Sequence, residues 1–234
     1  MTISNTIVAR DVIVTYPTAD GPVRALPRTS VTVEGGTSVA VMGPSGCGKS
    51  TLLGLLAGLA VPTEGSVTIG AETISALSER DRVRFRRRSL GMVYQADNLL
   101  PHLTVEENVA LQVAICRRSP SDDHHGAETS ALLARLGLGE LAGRLPDQLS
   151  GGQRQRVAVA RAIVHQPSVI LADEPTGSLD SASARTVIEL LVASQREIGA
   201  TLVMVTHDPE IAAYLSATVQ LGAPVPSMEK IHAP

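Results

Sequence analysis

The sequence is nearly without aromatic side chains: 234 residues include no tryptophan, one phenylalanine and three tyrosines. Its core must be aliphatic, and a surface for stacking single-stranded nucleic acid has almost nothing to be built from. Cysteine is also scarce. Cys47 and Cys116 lie far apart, and neither their number nor their spacing suits a disulfide framework or a zinc site. Positive charge is not in excess, and a net charge of −3 argues against nucleic acid as a partner held by bulk electrostatics. Long apolar runs are missing too. Leu52–Val61 is the longest, far short of a bilayer span. The opening MTISNTIVARDVIV has no basic segment followed by an apolar one, so it does not read as a secretory signal. These absences predict a cytoplasmic chain that meets a membrane only peripherally, through a partner.

The composition that is present, 44% hydrophobic and 18% charged, is that of a folded globular protein and excludes wholesale disorder. The length suits one domain, with room for a subdomain. Ile7–Thr15 reads as a strand ending at Tyr16-Pro17, Thr18–Pro22 as a turn, and Val31–Val33 and Thr37–Met42 as strands. A helix is expected over Lys49–Leu59 and a strand over Ser66–Ile69. Leu77–Arg88 predicts a helix whose arginines, Arg80, Arg82, Arg84, Arg86, Arg87 and Arg88, read as a solvated face partly balanced by Glu79 and Asp81. Leu90–Tyr94 is a short apolar strand, followed by helices over Thr104–Arg117, Gly126–Leu136 and Gly151–Val164. Asp122, Asp123, His124 and His125 are adjacent on a loop, and adjacent side chains on a loop rarely converge on one ion. The last third alternates apolar strands, Val169–Ala172, Thr201–Thr206 and Thr218–Leu221, with helices Ala182–Gln195 and Pro209–Tyr214. That alternation predicts a parallel sheet with right-handed crossovers. Gly222–Pro234 has no periodicity and reads as a mobile tail.

Against this background Gly43–Thr51, GPSGCGKST, has the form G-x-x-x-x-G-K-[ST] between a strand and a helix. A glycine loop there turns successive N–H groups inward at the positive end of the helix, forming a socket for polyphosphate. Lys49 can reach the outer phosphates, and the Ser50 hydroxyl can ligate Mg²⁺. Two further constellations carry chemistry. VILADEP, Val169–Pro175, sets Asp173 and Glu174 at the carboxyl end of a buried strand, where open α/β sheets place ligands. One acid can hold Mg²⁺, and the other can take a proton from an attacking water. LSGGQ, Leu149–Gln153, opens a helix with Ser150 as its N-cap and two glycines, which leaves the positive helix end bare.

The phosphate loop, Gln95, LSGGQ, the strand ending in Asp173-Glu174, Ser178-Leu179-Asp180 and His207 follow one another in the order of the ATP-binding cassette (ABC) ATPases, so the chain resembles that family from about Ile7 to Val219. YPTADGPVRAL, RRRSLGMVYQ, LLPHLTVEENV and ADEPTGSLD are similar to the ATPase subunits of lipoprotein-releasing and macrolide-exporting systems. The fold implied is a P-loop, RecA-like α/β core with an antiparallel β portion and an inserted α-helical subdomain at about residues 95–166, the whole being a single domain over residues 1–221. The resemblance implies ATP and Mg²⁺ as cofactors. It implies that Tyr16 stacks on adenine, and that Gly43, Pro44, Ser45, Gly46, Cys47, Gly48, Lys49, Ser50 and Thr51 wrap the phosphates. It further implies that Ser50, Gln95 and Asp173 serve Mg²⁺, that Glu174 polarises the attacking water, and that Gln95 and His207 contact the γ-phosphate. Asp180 is expected to communicate between two sites. Ser150, Gly151, Gly152 and Gln153 are expected to close over the nucleotide of a second subunit in a head-to-tail dimer. The implied partners are a second such ATPase and an integral membrane permease, with no nucleic acid. Two features depart from the family pattern: Tyr94 stands where phenylalanine is usual, and Gln220-Leu221-Gly222-Ala223-Pro224 replaces a basic glycine turn. The same motor also suits a regulatory or scaffold cassette that signals through a membrane partner without transport. Nucleic-acid cassettes carry two motif sets or a long coiled coil, and a P-loop kinase has no need of LSGGQ.

Overall fold

The computed structural model describes residues 5–19, 21–116 and 125–222. Most of the 119–126 loop, with Asp122, Asp123 and His124, and nearly all of the C-terminal tail lie outside the described residues. The elements are β1 (Ile7–Thr18), β2 (Gly21–Val33), β3 (Ser38–Met42), α1 (Lys49–Leu56), β4 (Glu64–Ile69), α2 (Glu79–Ser89), β5 (Leu90–Tyr94), α3 (Val105–Cys116), α4 (His125–Arg135), α5 (Gly151–Ile163), β6 (Val169–Asp173), α6 (Ser181–Ile198), β7 (Thr201–Val205), α7 (Pro209–Ala212) and β8 (Ala217–Gln220). They form an antiparallel sheet in the order β2-β1-β4 and a parallel sheet in the order β5-β6-β7-β3-β8. No helix among the described residues is long and apolar enough to cross a membrane.

The first hairpin corrects the sequence expectation. β1 continues through Tyr16-Pro17 to Thr18, and β2 begins at Gly21, ten residues before the expected Val31. Prolines end most central strands because they cannot donate to a ladder. Here Pro17 faces Pro22, in a stretch of β1 that pairs with β2 alone, and β2 is the sheet edge. Helix ends shift for local reasons. α1 stops at Leu56, since Gly58 turns left-handed (φ 62°) just beyond its C-cap. α6 extends to Ile198, between the Asp180 cap and a left-handed Gly199.

Strand alternation divides the core between the two faces of the parallel sheet. Leu202 and Met204 of β7 join Ile170 and Ala172 of β6 on the face covered by α5 and α6. Val203 and Val205 join Val169, Leu171, Val39 and Val41 on the face covered by α1 and the antiparallel sheet. β7 is buried throughout, as a parallel strand covered on both sides must be. Nearly every member of both clusters is aliphatic, and Phe85 packs only at the margin of one.

Close packing between α5 and β5 is set by one residue. A Cβ at Gly91 would overlap the Ala162 carbonyl oxygen and crowd Pro167. Both obstacles are backbone or ring atoms that cannot swing away. Gly91→Ala should therefore lose about 1–3 kcal/mol of stability, read as a lower urea midpoint at unchanged slope.

Candidate functional site

Parallel pairing lines up the carboxyl ends of four strands. Tyr94 of β5, Asp173 of β6, Val205 of β7 and Val41 of β3 stand in one register row. Neighbouring strands are about 4.8 Å apart, so the row spans roughly 14 Å. Gln95, Glu174, Thr206 and the phosphate loop leave the sheet along this edge, where ligands of open α/β sheets bind.

The loop from Gly43 to Gly48 joins β3 to α1. Gly43, Gly46 and Gly48 have φ of 151°, 79° and 97°. At Gly48 a Cβ would stand 2.7 Å from both the Ala25 carbonyl oxygen and Leu26 Cδ1, so β2 is packed against the loop. At Gly43 it would strike the Leu221 carbonyl oxygen and Cys47 Sγ. The residues after β8 thus lie under the loop, and the Leu221 N–H donates to the Met42 carbonyl at 2.7 Å. Lys49 Nζ donates to the Gly43 and Pro44 carbonyls at 2.9 and 3.0 Å, arching over the loop it follows. α1 has no side-chain cap and no acid in its first turn, so its positive end is unneutralised. Ser45 and Gly46 are exposed at the tip, and Thr51 is half-buried within α1. Tyr16, opposite Val23 on the hairpin, is 48% exposed and two cross-strand positions from Ala25.

Ser50 Oγ lies 3.5 Å from Asp173 Oδ1 across the α1–β6 contact. Burial, with the neighbouring Glu174 charge, pushes the Asp173 carboxyl up, against the Ser50 hydrogen bond and Lys49. Glu174 is held at φ 44° before Pro175, where its N–H donates to the Val205 carbonyl at 2.9 Å. A left-handed glutamate costs about 1–3 kcal/mol and persists only where its surroundings impose it. Glu174 Oε1 is 3.2 Å from His207 Nδ1. The two flank a cleft of about 200 Å³ that Thr176, Gly177 and Thr206 also line. Gln95 reaches toward Gly177, where a Cβ would meet its Nε2 at 2.9 Å. Asp173, Glu174, Gln95, His207, Lys49 and Ser50 therefore share one edge.

LSGGQ forms its own local structure. Gln153 N–H donates to Ser150 Oγ at 3.3 Å, and Ser150 N–H donates to Gln153 Oε1 at 2.8 Å, a reciprocal cap on α5. Gly151 is next to Leu179, and Gly152 is pressed against Ser183, which leaves no space for a Cβ. Asp180 caps α6: its carboxylate accepts from Ser183 N and Oγ at 2.9 and 2.7 Å, which holds it below the usual carboxylate range.

Sequence reasoning missed the groups that bind the Gln95 loop to α5. Arg154 pairs with Asp97 at 2.9 Å. Arg161, two turns on, donates to the Asp97 and Asn98 carbonyls at 2.9 and 2.7 Å. Buried Gln155 donates to the Tyr94 carbonyl at 2.8 Å. Both flanks of Gln95 are thereby tied to the helix that LSGGQ opens. The i, i+7 spacing of Arg154 and Arg161 was the one readable signal.

The raised Asp173 carboxyl has a consequence for stability. A folded state that holds this proton more tightly than the unfolded chain is favoured below the ordinary carboxylate range and loses that advantage as pH rises through the folded value. Asp173→Asn should therefore melt above the parent at neutral pH without nucleotide. The gap should close as the pH is lowered, and thermal scans across pH read it directly.

Residues 26–177 match the family described as ABC transporter. The lipoprotein-releasing system ATP-binding protein LolD 1 of Rhodopirellula baltica is 43% identical over 206 residues, spanning 88% of this chain and 89% of its own. The uncharacterized ABC transporter ATP-binding protein MJ1508 of Methanocaldococcus jannaschii is 42% identical over 215 residues, spanning 92% and 95%. Among solved structures, a dimeric post-hydrolysis state of the ATP-binding cassette MJ0796, bound to ADP and Pi, matches with a TM-score of 0.83 at 37% identity, over 92% of this chain and 94% of that one. With the phosphate loop, the paired acids and the LSGGQ helix in one fold, the chain belongs to the ABC transporter family as an ATP-binding, ATP-hydrolysing subunit.

Proposed function

We propose that two copies of this chain close head to tail around two ATP molecules, and that the closure and its release by hydrolysis drive an integral membrane permease. The observation that carries the reading is the Glu174–His207 contact of 3.2 Å on the same sheet edge as the Lys49 loop and the Ser50–Asp173 pair. The dimeric arrangement is supported by the similar cassette in its ADP and Pi state. Residues 1–221 act as one domain in this reading, with the three helices between β5 and β6 forming the part that meets the permease. The chain then works at the inner face of the membrane, held there by that permease.

In the proposed site Lys49 exchanges its bonds to the Gly43 and Pro44 carbonyls for β- and γ-phosphate oxygens, helped by the backbone N–H groups of residues 45–51. Tyr16 offers the adenine a face beside the loop. The oxygens of Ser50 and Asp173 are hard donors that fit Mg²⁺, which commonly takes one or two protein oxygens beside substrate phosphates. The ion, when bound, neutralises charge on those phosphates. Gln95 stands at the γ-phosphate end of the row. Glu174 accepts a proton from water as that oxygen bonds to the γ-phosphorus, and the bond to the β-phosphate oxygen breaks, releasing ADP and phosphate. His207 orients the Glu174 carboxylate and contacts the γ-phosphate.

The second half of each site is Ser150-Gly151-Gly152-Gln153 of the other copy. Its reading as an anion-facing helix end is supported by the capping box, which fixes Ser150 at the tip of α5. Asp180, in the turn against which LSGGQ packs, links the two sites through Leu179 and Ser183.

Glu174→Gln should keep ATP binding, lose about 10²–10⁴-fold in hydrolysis and accumulate as an ATP-held dimer in sizing chromatography. Hydrolysis at the parent rate would remove Glu174 as the base. A mixture of Ser150→Arg and Lys49→Ala chains should hydrolyse ATP well above either variant alone, because only the mixed dimer assembles one intact composite site. A mixture no more active than its components would remove the shared site.

A further inference from the structure

α2 carries two opposite arginine faces. Its eleven residues hold six arginines against two acids. That is a net +4 in a chain whose total is −3, so the remainder carries −7. Arg82 and Arg86 point inward, with side chains 14% and 24% exposed. Both pair with Glu79, and they also donate to the Leu77 and Gly58 carbonyls at 3.1 and 2.6 Å. Arg86 thereby ties α2 to the end of α1, and Arg82 folds back on the start of its own helix. Arg80, Arg84, Arg87 and Arg88 are all exposed and lie at i, i+4, i+7 and i+8, which is one helical stripe. Among the described residues only Arg84 of these has an ion pair, with exposed Asp81 at 3.2 Å, and such pairs are worth little.

The stripe is also not purely polar. Val83, on the edge of the stripe next to Arg80 and Arg87, is 39% exposed. Phe85 turns inward to the core, so no aromatic is left to stack on bases.

We propose that this stripe, with Val83 at its edge, is a contact surface for an anionic phospholipid membrane. The argument rests on the chain working beside a membrane as an ABC subunit. Guanidinium forks match phosphodiester oxygens in pairs, and the exposed Val83 beside them can enter the headgroup layer. The four arginines span about 12 Å along the helix, so one flat anionic surface can neutralise all of them together. The lipid contact orients the subunit beneath its permease independently of nucleotide.

Co-sedimentation of the full chain with vesicles tests this. The nucleotide-free protein should pellet with phosphatidylglycerol vesicles but not with phosphatidylcholine vesicles, and high salt should release it. Each basic residue beside an anionic bilayer is worth roughly fivefold in partitioning. Arg80→Gln, Arg84→Gln, Arg87→Gln and Arg88→Gln together should therefore lower binding by several hundredfold, while the four corresponding lysine substitutions should retain most of it. If the glutamine combination does not fold, Arg80→Gln and Arg88→Gln singly should each cost about fivefold. Equal binding to both vesicle types, undiminished binding by the glutamine variants, or displacement of the vesicles by a DNA duplex at equal phosphate would each overturn the proposal. ATP affinity measured on the same samples reads the nucleotide site separately, so failure of that site would leave the vesicle result standing.

Discussion

The site depends on hydrogen-bond register. Tyr94, Asp173, Val205 and Val41 face one another because four parallel strands pair without a slip. A one-residue shift of β6 would turn Asp173 from the α1 side to the α5 side and remove it from Ser50. The register is held by burial on both faces. Leu202 and Met204 belong to one core cluster, and Val203 and Val205 to the other. The chemistry at the edge is thus positioned by aliphatic packing some distance behind it. That division of labour explains how a chain with so few aromatic residues still fixes several polar groups to within hydrogen-bonding distance.

From that edge, order passes to α5. Gln155 and Arg161 hold backbone carbonyls on either side of Gln95, and the Arg154–Asp97 pair holds the loop beyond it. The same helix begins with the capped LSGGQ turn. In the proposed dimer, a nucleotide touching the turn of one copy therefore bears on the Gln95 loop of that copy through about one helix length of rigid backbone. Arg154 has a double duty, since it also donates to the Leu149 carbonyl just before the turn.

The parts of the site that were readable in the sequence are local. Gly43–Ser50 and Val169–Glu174 each declare themselves within nine residues, because a tight turn needs glycine and a buried strand needs an unbroken apolar run. The hairpin was misread for the opposite reason. Tyr16-Pro17 and Gly21-Pro22 are breaker signals in isolation, and only the edge position of β2 makes them tolerable. Asp97 was equally invisible, since its partner is 57 residues away. The stretch after β8 departs from the family pattern in sequence, yet it packs beneath Gly43 through Leu221, where backbone rather than side-chain chemistry makes the contact. Asp180 was expected to communicate between sites, and the fold gives it a second and simpler task as the α6 cap.

Stability is lost where the proposed chemistry is placed. Glu174 sits in a left-handed conformation before a proline, and Asp173 is pushed toward its neutral form by burial beside another acid. The helix at the phosphate loop starts without a side-chain cap, and among the described residues the hydrogen-bond partners of Lys49 Nζ are backbone carbonyls. Each of these costs the isolated fold something, and in the proposed reading each would be reduced by a polyanion carrying a divalent cation. Such a ligand would satisfy the bare N–H groups, pair with Lys49 and favour the charged Asp173. Binding and folding would then be linked at this edge, and in the proposed reading nucleotide would stabilise the closed arrangement most where the empty one is least comfortable. In the proposed dimer the shared site would strengthen the same linkage, because the capped end of α5 would meet an anion only when a second chain brings one.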